Sequence, residues 1–288
     1  MSRIVWLASY PKSGNTWLRV FLTNFQRDSG RPVDINALEF GTEASDRNLL
    51  DSALGVESAD MTEDEIEEQR PAASRCLAAR SARTLYLKTH DAFRLTCVGE
   101  PLIPADVTRG AIYITRNPLD VAASFAHHLD KSVEETIERL ARETMTLEGS
   151  GTRLVVKLRQ RLLSWSTHVL SWLDQGIIPV HLMRYEDMSL RPVETFTEAV
   201  RFLGWPDDVD RVRRAVTFSS FDVSRQQEQA GGFKERIPGT ASFFRMGRTG
   251  AWRETLTSQQ VERVIRDHSP VMRRLGYLSE IGYVEGGQ

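Results

Sequence analysis

The 288-residue sequence lacks most of the features that assign a protein quickly. Its two cysteines, Cys76 and Cys97, exclude a disulfide framework and a cysteine-rich zinc site. No apolar run approaches the roughly 18 residues of a membrane span. The opening stretch from Met1 to Ser9 is too short for a signal-peptide core, and Lys12 and Arg19 follow closely, so a cytoplasmic location is expected. A charge excess of either sign is also missing. There are 37 Lys and Arg against 39 Asp and Glu, a net charge of −2. Nucleic-acid-binding domains usually carry a basic excess, so no nucleic-acid partner is expected, nor a membrane. A local basic pocket for a phosphorylated small molecule stays open. No internal repeat or low-complexity segment is visible.

What remains is an ordinary globular composition, 41% hydrophobic and 26% charged. A chain of this length buries about three-quarters of its unfolded surface and needs no covalent staples. The pattern is one of alternation. Arg3–Ser9 reads as a buried strand, and Thr16–Phe25 as a helix through the spacing of Trp17, Val20, Phe21 and Phe25. Further strands are expected at Thr84–Thr89, Ala111–Arg116 and Ile178–Arg184. Helices follow at Asn117-Pro118, an N-cap and first-turn proline running to about His128, and at Pro192–Leu203. Strands alternating with helices predict an α/β fold, a parallel sheet with helices on both faces, as a single domain over residues 1–288. Irregular, mobile stretches are expected near 36–70, 144–153 and 224–243. The first includes a solvated acidic helix opening at a Thr62/Glu65 capping box.

The richest segment is Ser9-Tyr10-Pro11-Lys12-Ser13-Gly14-Asn15-Thr16-Trp17, between the first strand and the first helix. Free backbone N–H groups and the positive helix end favour an anion there. Gly14 permits close approach, Ser13 and Thr16 add hydroxyl donors, and Lys12 adds a charge. Against the nucleotide loop G-x-x-x-x-G-K-[ST], Ser9 replaces the first glycine and Asn15 fills the lysine slot. The segment is thus a relative of that loop. Transfer of a sulfuryl group, which carries less charge than a terminal phosphate, has less need of magnesium.

Tyr10-Pro11-Lys12-Ser13-Gly14-Asn15-Thr16-Trp17 closely resembles the 5′-phosphosulfate loop of cytosolic-type sulfotransferases, in a form familiar among bacterial members. These enzymes use 3′-phosphoadenosine 5′-phosphosulfate (PAPS) on a P-loop-like fold. The resemblance implies that Lys12 meets the oxygen bridging phosphate and sulfate and stabilises the leaving charge. It implies that Ser13, Gly14, Asn15 and Thr16 hold the 5′-phosphate, and that Trp17 packs on adenine, a core role being the alternative. Tyr113-Ile114-Thr115-Arg116-Asn117-Pro118-Leu119-Asp120 through Ser124 resembles the family's 3′-phosphate motif, with Arg116 and Ser124 as ligands. Arginine at a strand end suits a phosphate clamp. Phe244-Arg245-Met246-Gly247-Arg248-Thr249-Gly250-Ala251-Trp252-Arg253 resembles the late glycine-containing motif. That implies 3′-phosphate binding by Arg245 and the Met246–Gly247 backbone, with Met246 in place of the usual basic residue and Arg248 a candidate to compensate. Tyr185-Glu186-Asp187, whose tyrosine would touch adenine, and Ser219-Ser220-Phe221 complete the cofactor set.

Lys88-Thr89-His90 resembles the family's catalytic K-x-H segment. It implies His90 as the general base and Lys88 as a partner for the sulfuryl oxygens. Asp91 follows, either to orient a cationic acceptor or as an exposed turn residue. His127-His128 lack the further ligand a metal needs, so no metal site is expected. Phe93, Phe125, His127, Phe233 and Phe244 either line an acceptor pocket or belong to the core. Arg253, Thr257, Ser258 and Glu262 resemble the family's dimer segment, with serine in place of valine, so a homodimer is allowed rather than predicted. The expectation is transfer of a sulfuryl group from PAPS to a hydroxyl of a small organic acceptor, leaving adenosine 3′,5′-bisphosphate (PAP). A small-molecule kinase and a non-catalytic nucleotide binder are the alternatives.

Overall fold

The computed structural model describes residues 3–147, 156–236, 242–279 and 282–283. The chain forms two compact units. The first comprises Met1–Tyr10, Gly41–Tyr113 and Arg142–Leu182, and the second Pro11–Phe40, Ile114–Ala141 and Met183–Gln288.

The first unit is built on a sheet of β1 (Ile4–Ser9), β2 (Thr42–Glu43), β3 (Leu85–Thr89), β4 (Thr108–Thr115) and β7 (Val180–Arg184), in the order β2-β3-β1-β4-β7. Every residue of β1 is buried, as befits a strand with neighbours on both sides. β1 runs parallel to β3, with Ala8 opposite Thr89, and β2 runs parallel to β3, with Glu43 opposite Lys88. Those registers place Ser9 beside His90 and Glu43 beside Lys88. A minor antiparallel pair, β5 (Thr146–Leu147) and β6 (Gln160–Arg161), lies outside this sheet. The parallel sheet flanked by helices is the architecture that the alternating pattern predicts.

Helices of this unit are α2 (Arg47–Leu54), α3 (Glu63–Arg80) and α6 (Trp165–Leu173). The expected capping box is present at the start of α3: Thr62 accepts from the Glu65 N–H, and Glu65 reaches back to the Thr62 N–H. The helix is less solvated than expected. Glu67 is buried and ion-paired to Arg94 and Arg161, because its face packs inward. Leu50, Ala53, Ile66, Ala73 and Leu158 make an apolar cluster between α2 and α3. Within residues 36–70, β2, α2 and the start of α3 are regular, and irregular backbone connects them. The glycine-rich residues 148–155 lie outside the described residues.

The second unit is helical: α1 (Asn15–Arg27), α4 (Pro118–Leu129), α5 (Val133–Ala141), α7 (Tyr185–Leu190), α8 (Pro192–Phe202), α9 (Val209–Phe218), α10 (Phe221–Gly231) and α11 (Ser258–Arg274). Phe21 of α1 stacks on Phe196 of α8 with ring centroids 4.1 Å apart. Helix α4 starts as expected, with the Asn117 side chain accepting from the Leu119 N–H and Pro118 in the first turn. The glutamine-rich residues 226–229, expected in a loop, continue α10 instead. Ser220 caps that helix and Gln227 bonds across to Val33 and Ile35. Residues 237–241 lie outside the described residues.

Candidate functional site

In the second unit, α1 opens without a side-chain cap and with no acidic residue in its first turn, so its positive end is not neutralised locally. Lys12 has φ 66° and Gly14 φ 107°, a bend that turns the loop toward the helix end. Gly14 is obligatory on two counts: its φ is left-handed, and a Cβ there would stand 2.8 Å from the Tyr185 ring. Ser13 is fully buried and Asn15 nearly so, while Thr16 and Trp17 are half-buried. The Lys12 ammonium sits 4.1 Å from the centre of the Phe243 ring.

Arg116 ties the motifs of this unit together. Its guanidinium donates to the carbonyls of Lys12 (3.2 Å) and Arg248 (3.0 Å) and lies 4.1 Å above the Tyr185 ring. Asp120, also buried, accepts from the Gly250 N–H (2.8 Å) and the Trp252 N–H (3.1 Å). Glu228 of α10 accepts from the N–H groups of Phe243 (2.7 Å) and Phe244 (2.9 Å). Gly247, at φ 63°, has the Phe221 ring 2.2 Å from where a Cβ would be, so only glycine fits. Loop 243–252 is therefore fixed by two carboxylates, Asp120 and Glu228, through its backbone.

The residues of this unit suit a doubly anionic nucleotide. Ser13 Oγ, Trp17 Nε1 and Arg116 Nε are buried and have no hydrogen-bond partner among the described residues. Buried donors left unpaired cost about 1–3 kcal/mol each, so a cluster of them marks a ligand's place. Arg245 is half-buried and makes no hydrogen bond or ion pair among the described residues. These donors remain available to the anionic groups of a ligand.

The first unit arranges its groups in the opposite way. His90 Nδ1 lies 2.7 Å from the Ser9 carbonyl, which can only accept, so Nδ1 carries the proton and Nε2 is the basic nitrogen. Ser9 Oγ is a longer contact at 3.3 Å. The His90 N–H donates to Gln160 Oε1 at 2.8 Å. Lys88 is buried and pairs with Glu43 Oε2 at 2.9 Å. Burial, then the Lys88 charge, push the His90 pKa down to about 3, so its imidazole is neutral at physiological pH. Burial opposes ionisation of Glu43, but the Lys88 ammonium beside it holds its carboxyl below the usual range.

Residues 2–276 match the family model of the sulfotransferase domain. The chain belongs to that family. Sulfotransferase 1A1 of the dog is 25% identical over 94% of the chain and 83% of the relative. Flavonol 3-sulfotransferase of Flaveria bidentis is 22% identical over 90% and 78%. Rat sulfotransferase 2A6 is 29% identical, with the match taking in about half (52%) of each chain. In fold, the chain resembles mouse sulfotransferase SULT7A1 complexed with PAP, with a TM-score of 0.61 and 20% identity over 94% of this chain and 84% of that one. Retinol dehydratase in complex with androsterone and PAP gives the same TM-score at 18% identity over 94% and 80%. This sulfotransferase is thus an enzyme of the PAPS-dependent kind, which sets aside the kinase and the non-catalytic binder.

Lys12, Ser13, Gly14, Asn15, Thr16, Arg116 and Tyr185 surround one bend of chain in the second unit. Trp17 packs edge-on against Tyr185 and Phe196, which gives it a core role as well as a free indole N–H. Ser124 is half-buried on α4, and Ser219, at the end of α9, donates to the Val216 carbonyl. The exposed Arg248 side chain pairs with Glu254, and its carbonyl accepts from Arg116. Asp91 is not an exposed turn residue: it is 1% exposed and paired with Arg70 at 2.6 Å. Phe93, Phe125 and Phe233 are buried in the core, Phe93 against Trp172 and Phe233 against Phe243 and Phe244. No metal-holding cluster exists among the described residues, and none of their helices is long and apolar enough to cross a membrane. Sequence reasoning missed Glu43, Glu228 and His168. Only tertiary register brings them to their partners, so no local signal marks them.

Proposed function

We propose that this sulfotransferase, acting as one domain, transfers the sulfuryl group of PAPS in line to a hydroxyl of a small organic acceptor, with His90 as general base. The observation that carries the reading is the tautomer of His90, whose Nδ1 proton is held by the Ser9 carbonyl so that Nε2 is the basic nitrogen. When bound, PAPS supplies an activated sulfuryl group on a phosphate leaving group. With PAPS bound, His90 Nε2 would take the acceptor proton as the acceptor oxygen displaces the 5′-phosphate from sulfur. Lys12 stabilises the charge growing on the phosphate, and Lys88 neutralises the sulfuryl oxygens. Ser13, Gly14, Asn15 and Thr16 hold the 5′-phosphate. Arg116, Ser124, Arg245 and the Met246–Gly247 backbone hold the 3′-phosphate. Trp17, Tyr185, Ser219 and Phe221 serve the adenine end.

The test is calorimetric titration of the purified protein with PAP, adenosine 5′-monophosphate and ATP, without magnesium. Loss of the contacts to the 3′-phosphate is worth about 1.5–3 kcal/mol, or roughly 10- to 150-fold in affinity. Micromolar binding of PAP with that preference is the expected result. Indifference to the 3′-phosphate, or equal binding of ATP, contradicts the proposal.

A further inference from the structure

His168 is a buried titratable residue that the transfer step does not use, and both of its nitrogens are engaged. Nε2 lies 3.1 Å from the His90 carbonyl, which can only accept, so Nε2 carries the proton. Nδ1 must then accept, and the Tyr113 hydroxyl 2.9 Å away donates to it. A fully buried tyrosine thus fixes the tautomer of a fully buried histidine, whose N–H ends on the backbone of the proposed base.

His168 is not isolated on its helix. Trp172, four residues on, donates through Nε1 to the Asp91 carbonyl at 3.0 Å, and Ser171 Oγ accepts from the Phe93 N–H at 3.0 Å. Positions i, i+3 and i+4 share one helix face, so α6 grips residues 90–93 with one stripe of side chains. The Tyr113 ring stacks on Trp172 with centroids 5.7 Å apart, closing the assembly. On its other side His90 is held by Gln160 at its N–H and by Ser9 at Nδ1.

We infer that the Tyr113–His168 pair on the α6 stripe is a positioning device for His90, holding its backbone so that Nδ1 stays on the Ser9 carbonyl and Nε2 stays the basic nitrogen. Neither residue touches the reacting atoms. The inference rests on the proposed role of His90, and the two fail in different ways.

The test reads the His90 ring nitrogens by long-range proton–nitrogen NMR at pH 7.5 in the full-length protein, with His90→Gln to assign the signals and PAP titration as a check that each variant is folded. In the wild type, His90 is expected as a single neutral tautomer protonated at Nδ1. In His168→Leu that single tautomer is expected to give way to a mixture, with PAP affinity within about twofold of wild type. His168→Gln, whose amide N–H can replace Nε2–H, is expected to restore it. Tyr113→Phe, which keeps the ring and removes only the hydroxyl, is expected to loosen it in part, and it serves if His168→Leu does not fold. Unchanged His90 signals in His168→Leu, or in Tyr113→Phe if that is the variant that folds, would overturn the positioning role. A wild-type His90 that is protonated at Nε2 would overturn the reading of His90 as base.

Discussion

The Lys12–Gly14 bend of the second unit and the His90 segment of the first are built on opposite principles. Around Gly14 and Arg116, donors are buried and have no hydrogen-bond partner among the described residues: Ser13 Oγ, Trp17 Nε1 and Arg116 Nε. Around His90, hydrogen bonds converge on the backbone of residues 90–93 and on Nδ1 of the histidine. The difference follows from the tasks. A site that binds an anion keeps donors in reserve for the ligand to satisfy. A base must present one lone pair in one direction, so the backbone beside it and its other ring nitrogen are held by hydrogen bonds.

The sharpest way to break the contrast is to remove the charge that acts only in the transition state. Lys12→Met should lower turnover about 10²- to 10³-fold, while PAP, which lacks the sulfuryl group, loses far less affinity. The readouts are PAPS consumption across a panel of phenols and alcohols, and calorimetry. Arg116→Ala comes next. It removes the proposed clamp for the 3′-phosphate and the link between the Lys12 and Arg248 carbonyls, and PAP affinity should fall about 10- to 150-fold with adenosine 5′-monophosphate little affected. Gly14→Ala places a Cβ against Tyr185 at a left-handed φ. That costs about 1–3 kcal/mol, to be read as a lower urea midpoint or weaker PAP binding.

The first unit answers to acid instead. Burial lowers His90 to about 3 and His168 to about 4 in the folded chain, against 6.5 when unfolded. Between those values the unfolded chain binds more protons, so stability is fully present above pH 6.5 and is lost as pH falls toward 4. Urea midpoints at pH 7.5, 6 and 5 should decline in that order, while kcat/KM shows no acid limb near 6.5. Midpoints that hold steady from pH 7.5 to 5 would contradict burial of neutral imidazoles. The smallest effect is expected from Arg248→Ala. Its side chain makes only an exposed ion pair with Glu254, worth about 0–1 kcal/mol, and PAP affinity should stay within about twofold.

The same contrast explains what could be read before the structure. The donor bend was legible because its requirements are local: a glycine for the close turn, a lysine, hydroxyls and an arginine ending a strand. The strands and helices that carry it were legible too, from apolar spacing and caps such as Asn117-Pro118. The surroundings of His90 were not, because they are assembled by register and by residues distant in sequence. Glu43 meets Lys88 only because β2 pairs with β3, and His168 meets His90 only because α6 turns its 168/171/172 stripe inward. Asp91 looked like a turn residue because nothing near it in sequence announces Arg70, and the acidic run at the start of α3 looked fully solvated because the partners of Glu67 come from residues 94 and 161.

The central claim is that holding the donor and taking the proton are separable tasks of separate residues. His90→Ala tests it most directly, with PAP affinity by calorimetry and PAPS-dependent turnover measured on the same preparation. The expected result is PAP affinity within about twofold of wild type and turnover lowered about 10²- to 10⁴-fold. Turnover that survives the substitution, or PAP affinity that falls along with it, would contradict the account.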